Sequence, residues 1–246
     1  MERIKLHIAY DGTNFAGYQV QHNQRTVQLV VERALSKMHR QEMKVYSSGR
    51  TDSGVHANDQ VLHLNSPMTL DCSAWHNALQ TLLPSDVKIM HVEKVDESFH
   101  ARKSAREKVY RYQIINQREF DVFKRLYEWH VIKPLSIEEM RSAAKLIEGT
   151  HDFTAFSASK SNVKGDKTRT IKSIDIWEEG NGRIIFEVRG NGFLTHMVRI
   201  IVGTLVEIGL GKKDETCIIQ ALETLNRQVL GLTAPSHGLC LWKVIY

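Results

Sequence analysis

The order of secondary-structure signals along the chain predicts an α+β fold of two ferredoxin-like-type domains, each an antiparallel sheet with helices on one face. Three observations carry that expectation. The first half of the chain reads β, α, β, β, α, β. The second half holds two or three helices and a hairpin marked by Asn181-Gly182. A new strand pattern opens near residue 105, so the domains are expected over 1–104 and 105–246.

In the first half, Ile4, Leu6, Ile8 and Tyr10 alternate with Lys5, His7 and Ala9 as a half-buried strand does. Gly12 and Gly17 bracket a loop. Val27, Val30, Val31, Ala34, Leu35 and Met38 then recur at helical spacing behind Thr26, a capping residue. Met43 to Ser47 alternates again, and Gln60 to Asn65 is rich in β-formers. A second helix is expected over Ser73 to Leu83, stopped by Pro84, followed by a strand over Val87 to Val95.

In the second half, Ala105 to Asn116 carries Val109, Ile114 and two tyrosines as a strand. Ser136-x-x-Glu139 is a capping box that starts a helix ending at Gly149. Strands are expected at Thr170 to Trp177 and Ile184 to Val188. Helices from about Thr195 to Ile208 and from Asp214 to Leu225 follow, and Leu239 to Ile245 closes the chain as a strand.

Composition narrows the function. A net charge of +5 favours an anionic partner only weakly, because 28 acidic residues are mixed among 33 basic ones. Local clustering says more. Arg102, Lys103, Arg106, Lys108 and Arg111 face Glu107 alone in one run, and Lys160, Lys164, Lys167, Arg169 and Lys172 face Asp166 alone in another. Such runs serve either as solvated faces or as phosphate contacts. The three cysteines are odd in number and far apart, which argues against a disulfide framework and for the cytoplasm. The histidines show no zinc spacing, so no metal is expected. No apolar signal segment precedes the first strand, and the longest apolar stretch, Phe193 to Leu210, contains His196, Arg199 and Glu207, so no membrane span is expected.

The most unusual stretch is Gly49-Arg50-Thr51-Asp52-Ser53-Gly54-Val55-His56-Ala57, a polar loop between two strand signals with a single carboxylate. Local chemistry leaves two readings: an Asx-turn in which Asp52 bonds nearby backbone, or a reactive carboxylate in a loop whose glycines admit another molecule. Arg199 lies in an otherwise apolar helix, where a guanidinium is normally paired, either in a structural salt bridge or in a functional one. Tyr110 is either core packing or a stacking surface, with Tyr112 on the same sheet face as its substitute. His196 is a competing general base.

Arg50 to Ala57 closely resembles the active-site motif of the tRNA pseudouridine synthase A family. Tyr10-Asp11-Gly12-Thr13-Asn14-Phe15-Ala16-Gly17-Tyr18-Gln19 resembles that family's opening segment. Phe99-His100-Ala101-Arg102 with Tyr110-Arg111-Tyr112 is similar to its second motif, and Gly192-Phe193-Leu194 with His196-Met197-Val198-Arg199 to its third. Ala234-Pro235 with Gly238-Leu239 resembles the closing segment. The order is conserved over nearly the full length, with mild departures: Tyr18 stands where tryptophan is usual, and Lys103 where an aromatic is common.

The resemblance implies a pseudouridine synthase fold, two sheets meeting at a central basic cleft, and isomerisation of uridine at positions 38, 39 and 40 of the tRNA anticodon stem-loop by a homodimer. It implies Asp52 as nucleophile, Arg199 as its ion-pair partner, Arg50 in base flipping and RNA positioning, and Tyr110 stacked on the target uracil. RNA contacts are then expected from Arg102, Lys103, Arg106, Lys160, Lys164, Lys167 and Arg169. The reaction detaches the base at C1′, turns it and reattaches it through C5; nothing enters or leaves, so neither a metal nor another cofactor is implied. One carboxylate serves such a reaction, whereas glycoside hydrolysis typically uses two. The alternatives are a non-catalytic tRNA-binding paralogue, a synthase acting on another RNA, and a hydrolytic glycosidase that would release uracil.

Overall fold

The computed structural model describes residues 1–119, 121–158 and 165–246. In chain order the elements of the first part are β1 (Glu2–Tyr10), α1 (Val27–His39), β2 (Tyr46–Ser47), β3 (His56–Ser66), α2 (Cys72–Leu82) and β4 (Val87–Val95). After them come β5 (Glu107–Ile115), β6 (Trp129–His130), α3 (Ile137–Lys145), β7 (Gly149–Asp152), β8 (Thr168–Gly180), β9 (Arg183–Gly190), α4 (Met197–Gly209), α5 (Thr216–Thr224) and β10 (Leu239–Ile245). These form two compact units, one of residues 1–106 with 240–246 and the other of residues 107–239.

The closing strand departs from the two-segment division expected from the sequence. Cys240 and Leu241 of β10 pair in parallel with His56 and Ala57 of β3, and the Arg106 amide donates to Ile245 O (2.8 Å). A parallel partner needs a long crossover rather than a tight turn, and the whole second unit supplies one.

In the first unit the sheet runs β4-β1-β3-β10, with β2 laid on β3. Ile4, Leu6 and Ile8 of β1, Leu62 and Leu64 of β3 and Ile89 of β4 are fully or nearly fully buried, as are Val27, Val31 and Leu35 of α1 and Trp75 and Leu79 of α2. Both helices begin as their sequences dictate: Thr26 Oγ1 accepts from Leu29 N and Asp71 Oδ1 from Ala74 N. The strand expected over Met43 to Ser47 is only two residues long. Side chains of α1 take its backbone donors instead, Met43 N bonding Ser36 Oγ (2.9 Å) and Val45 N bonding the buried Glu32 Oε1 (3.1 Å).

Arg3, Lys5 and His63 of this sheet lie against the segment 97–104. Arg3 Nη1 donates to Phe99 O (2.9 Å), Tyr246 Oη to Ala101 O (2.7 Å), and the Ala101 amide to His63 Nδ1 (3.1 Å). Burial, aided by the neighbouring charges of His100 and Arg3, pushes His63 down to about 4. Between pH 6.5 and 4 the unfolded chain therefore binds a proton that the folded chain refuses, and stability rises with pH across that window. Acidification from pH 7 to 4 is expected to lower the folding equilibrium constant through this group by up to roughly 10²-fold. Urea unfolding of the native protein and of His63→Gln at both pH values measures it; equal losses in the two proteins would remove His63 as the cause.

In the second unit the sheet runs β5-β9-β8-β7, antiparallel throughout, with β6 parallel to β5. The Asn181-Gly182 hairpin forms, with φ of 51° and 70° at the two residues, the positive values that a two-residue primed turn requires. Ser136 Oγ accepts from Glu139 N to start α3. The helix ends earlier than expected, and Gly149, at φ 114°, opens β7 instead.

The helix α4 is buried on nearly every face, and the chain after α5 runs against it. A methyl group at Gly203 would lie 2.0 Å from Leu232 O, and Thr204 Oγ1 accepts from the Gly231 amide (3.0 Å). Glycine is needed there for close approach of the two backbones rather than for a special dihedral angle.

Candidate active site

Asp52 stands in the turn between β2 and β3, half-buried, beside a buried Thr51 and an exposed Arg50. Local bonds shape the turn: Val55 N donates to Asp52 O (3.2 Å), and Gly54 takes φ 75°. Gly49, expected to need similar freedom, is not among the positive-φ glycines; its carbonyl accepts from Gln60 Nε2 (2.9 Å), and Gln60 Oε1 in turn accepts from Ser48 Oγ (2.7 Å). The strand base thus holds the loop's upstream end.

The opening segment, residues 10–18, holds the rest. Tyr10 Oη and Thr51 Oγ1 share a buried hydrogen bond of 2.8 Å, and the Tyr18 amide donates to Thr51 O (3.1 Å). The Gly54 amide and Ser53 Oγ both donate to Phe15 O (3.3 Å each), and the Gly12 amide donates to His56 Nδ1 (3.0 Å). Bonds to the residues on both sides of Asp52 fix its backbone.

Two glycines make this contact possible. A methyl at Gly12 would lie 2.0 Å from Val55 O, and one at Gly17, which has φ 99°, would lie 3.0 Å from Thr51 O. The opening segment is itself braced. Asp11 Oδ1 accepts from Thr13 N and Thr13 Oγ1, and Arg25 stacks 4.0 Å over Phe15 while binding both oxygens of Asp86 (2.8 and 2.9 Å). Tyr18, at the position where tryptophan is usual, is a buried packing residue.

Tyr110 and Arg199 lie in the second unit. Tyr110 is buried on β5, edge-on to Phe193 with ring centroids 5.0 Å apart. Arg199 is half-buried on the first turn of α4; its Nε donates to Ala234 O (2.7 Å) and its own carbonyl accepts from the Ala234 amide (3.0 Å). Tyr112 Oη donates to Pro235 O (2.8 Å), and burial holds its hydroxyl above the ordinary phenol range. Arg199 and Tyr112 therefore clamp the Ala234-Pro235 segment, which gives Tyr112 a packing function. His196 occupies the N-cap of α4 at φ 64°.

Among the basic residues singled out from the sequence, Arg102, Lys103 and Arg106 are exposed. Lys167 is half-buried, and Arg169 Nη1 bonds Asp166 O and Thr168 O (3.3 and 2.7 Å). Lys160 and Lys164 lie outside the described residues. No helix among the described residues is long and apolar enough to cross a membrane.

Sequence reasoning did not assign the bracing of the Asp52 loop to Tyr10, Gly12, Gly17 and His56. The paired glycines at either end of the opening loop were the available signal, since close backbone approach is one of the few reasons to place them there.

Residues 7–102 and 143–246 match the sequence profile of a family described as tRNA pseudouridine synthase. The chain is 47% identical over 247 aligned positions to the tRNA pseudouridine synthase A of Oceanobacillus iheyensis, covering all of this chain and 97% of that one. It is 49% identical to the tRNA pseudouridine synthase A 1 of Bacillus cereus (strain ATCC 14579), again over the whole chain and 99% of the relative. It is 48% identical to the tRNA pseudouridine synthase A of Bacillus pumilus over 99% of each. These matches define the class as an isomerase that makes pseudouridine. The chain belongs to the tRNA pseudouridine synthase family.

Proposed function

We propose that this protein isomerises uridine to pseudouridine at positions 38, 39 and 40 of the tRNA anticodon stem-loop. The observation that carries the reading is the Asp52 turn, whose backbone is held on both sides by Phe15, Tyr18 and Gly12 contacts. A nucleophile works best when its position is set before substrate arrives, because orientation then costs nothing during the reaction. In this reading Asp52 is the nucleophile and Arg199 the cation that keeps it ionised. Tyr110 stacks on the uracil, and the exposed Arg50 occupies the space left by the flipped nucleotide. Flipping costs on the order of a few kcal/mol, recovered from stacking and from phosphate contacts. The exposed Arg102, Lys103 and Arg106 supply part of the latter, with Lys160, Lys164, Lys167 and Arg169 as further phosphate ligands. The enzyme works as a cytoplasmic homodimer, as the family resemblance implies.

Tritium release from unmodified tRNA labelled at uracil C5, with no metal or nucleotide added, tests the reading. Release mapped to the anticodon stem-loop supports it. Free uracil would instead indicate hydrolysis, and tight tRNA binding without release would indicate a binding protein.

A further inference from the structure

The first unit carries an aromatic surface that the catalytic loop does not use. Tyr46, the first residue of β2, is directly opposite His63 of β3 in register, and the two rings stack at 5.1 Å with planes 22° apart. Such stacking across a strand pair follows from the short Cβ separation of directly opposed residues. His63 also meets His100 at 4.6 Å and Phe99 edge-on at 6.2 Å. His63 is buried, yet Tyr46 keeps 55% of its surface exposed. A large aromatic ring is thus presented to solvent on a rigid backing, although burying it in the core would be the more stabilising use.

Charge lies beside it. The amides of Arg102 and Lys103 donate to His100 Nδ1 (3.1 and 3.4 Å), so both exposed cations spring from backbone bonded to a ring 6.0 Å from Tyr46. The Ser104 amide bonds His100 O (2.9 Å) and the His100 amide bonds Ser104 Oγ (3.0 Å), which closes this segment into a tight loop. An exposed, preoriented aromatic face flanked by cations matches the chemistry of a nucleotide in single-stranded or looped RNA: the base stacks and the phosphate is neutralised.

From this geometry we infer that Tyr46, backed by His63 and His100 and flanked by Arg102 and Lys103, is a nucleobase-stacking subsite for tRNA, separate from the site of isomerisation. Tyr46 is paired with His63, seven residues along β3 from His56, which puts it about 23 Å from the downstream end of the Asp52 loop; Asp52 itself, six residues on in the chain, lies at most about 20 Å away. It takes an unpaired base other than the target uridine and adds affinity without touching that uridine. The inference rests on the proposed tRNA substrate.

Filter binding of unmodified tRNA, as a function of salt, compares the native protein with Tyr46→Ala, Tyr46→Trp and Arg102→Ala. The expected results are a Kd raised about tenfold by Tyr46→Ala and restored to within about twofold by Tyr46→Trp. The slope of log Kd against log salt should be unchanged in Tyr46→Ala and reduced by about one in Arg102→Ala. Thermal melting of Tyr46→Ala close to that of the native protein separates lost stacking from lost folding. If Tyr46→Ala binds as tightly as native protein that does convert the tRNA, the platform is refuted and the catalytic reading stands. If native protein neither binds nor converts tRNA, both fall. Should Tyr46→Ala prove unstable, failure of the folded Tyr46→Leu variant to weaken binding overturns the inference equally.

Discussion

Asp52→Asn is expected to reduce tritium release from C5-labelled tRNA to below about 10⁻⁴ of the native rate, in line with losses seen when a covalent catalyst loses one reacting group. Asparagine has nearly the same shape as aspartate but cannot form or stabilise the covalent or cationic species that a carboxylate can. Backbone groups of Thr51, Asp52, Gly54 and Val55 and the hydroxyls of Tyr10, Thr51 and Ser53 all hold the turn. Folding should survive the change, with a melting temperature within about 2 °C of native and tRNA binding retained. Native-like turnover by Asp52→Asn would remove it as the catalytic group. A melting temperature lowered by ten degrees would mean instead that the carboxylate is a structural element of the loop, the Asx-turn reading.

Gly12→Ala is expected to be nearly as damaging, although residue 12 bears no reactive group. Its new methyl would sit 2.0 Å from Val55 O and 2.5 Å from the carbonyl carbon, both backbone atoms that cannot rotate away. Either the opening segment or the Asp52 loop must move. A displacement of about 1 Å at a reacting group can cost on the order of 10²-fold in rate, and overpacking of this kind destabilises by about 1–3 kcal/mol. The informative comparison is kcat with tRNA affinity: kcat should fall about a hundredfold while Kd changes little, since the exposed basic residues are elsewhere. Unaltered kcat would show that the carboxylate's position does not depend on this contact. Gly12 has no positive φ, so the effect is one of space and not of backbone strain.

Elements whose signals are local were legible. Thr26 and Ser136 cap the helices they announce, the Asn181-Gly182 turn forms, and the alternation of Ile4, Leu6, Ile8 and Tyr10 marks the buried face of β1. Periodicity and capping report which face of a segment is buried and where it ends, and neighbours in sequence decide both. Asp52, Arg50, Tyr110 and Arg199 were legible as motif positions.

Contacts between segments distant in sequence were not legible. The strand expected from Met43 to Ser47 is cut to two residues because Ser36 and Glu32 of α1 take its backbone donors. Its alternating pattern holds no trace of that competition. The closing strand was expected with the second half, yet Cys240 and Leu241 pair with His56 and Ala57. Pairing is a property of two strands and of the path between them, whereas a single strand's sequence states only that it pairs.

By itself, then, the sequence determined an α+β chain with capped helices, its hairpin, and a lone carboxylate in a glycine-flanked loop. Tertiary structure alone decided that Tyr10 and Gly12 would meet Thr51 and Val55, and that Tyr46 would lie over His63 with its ring to solvent. Residue types set local conformational preference, but which loops close on which surfaces is a balance of burial against chain entropy over the whole fold.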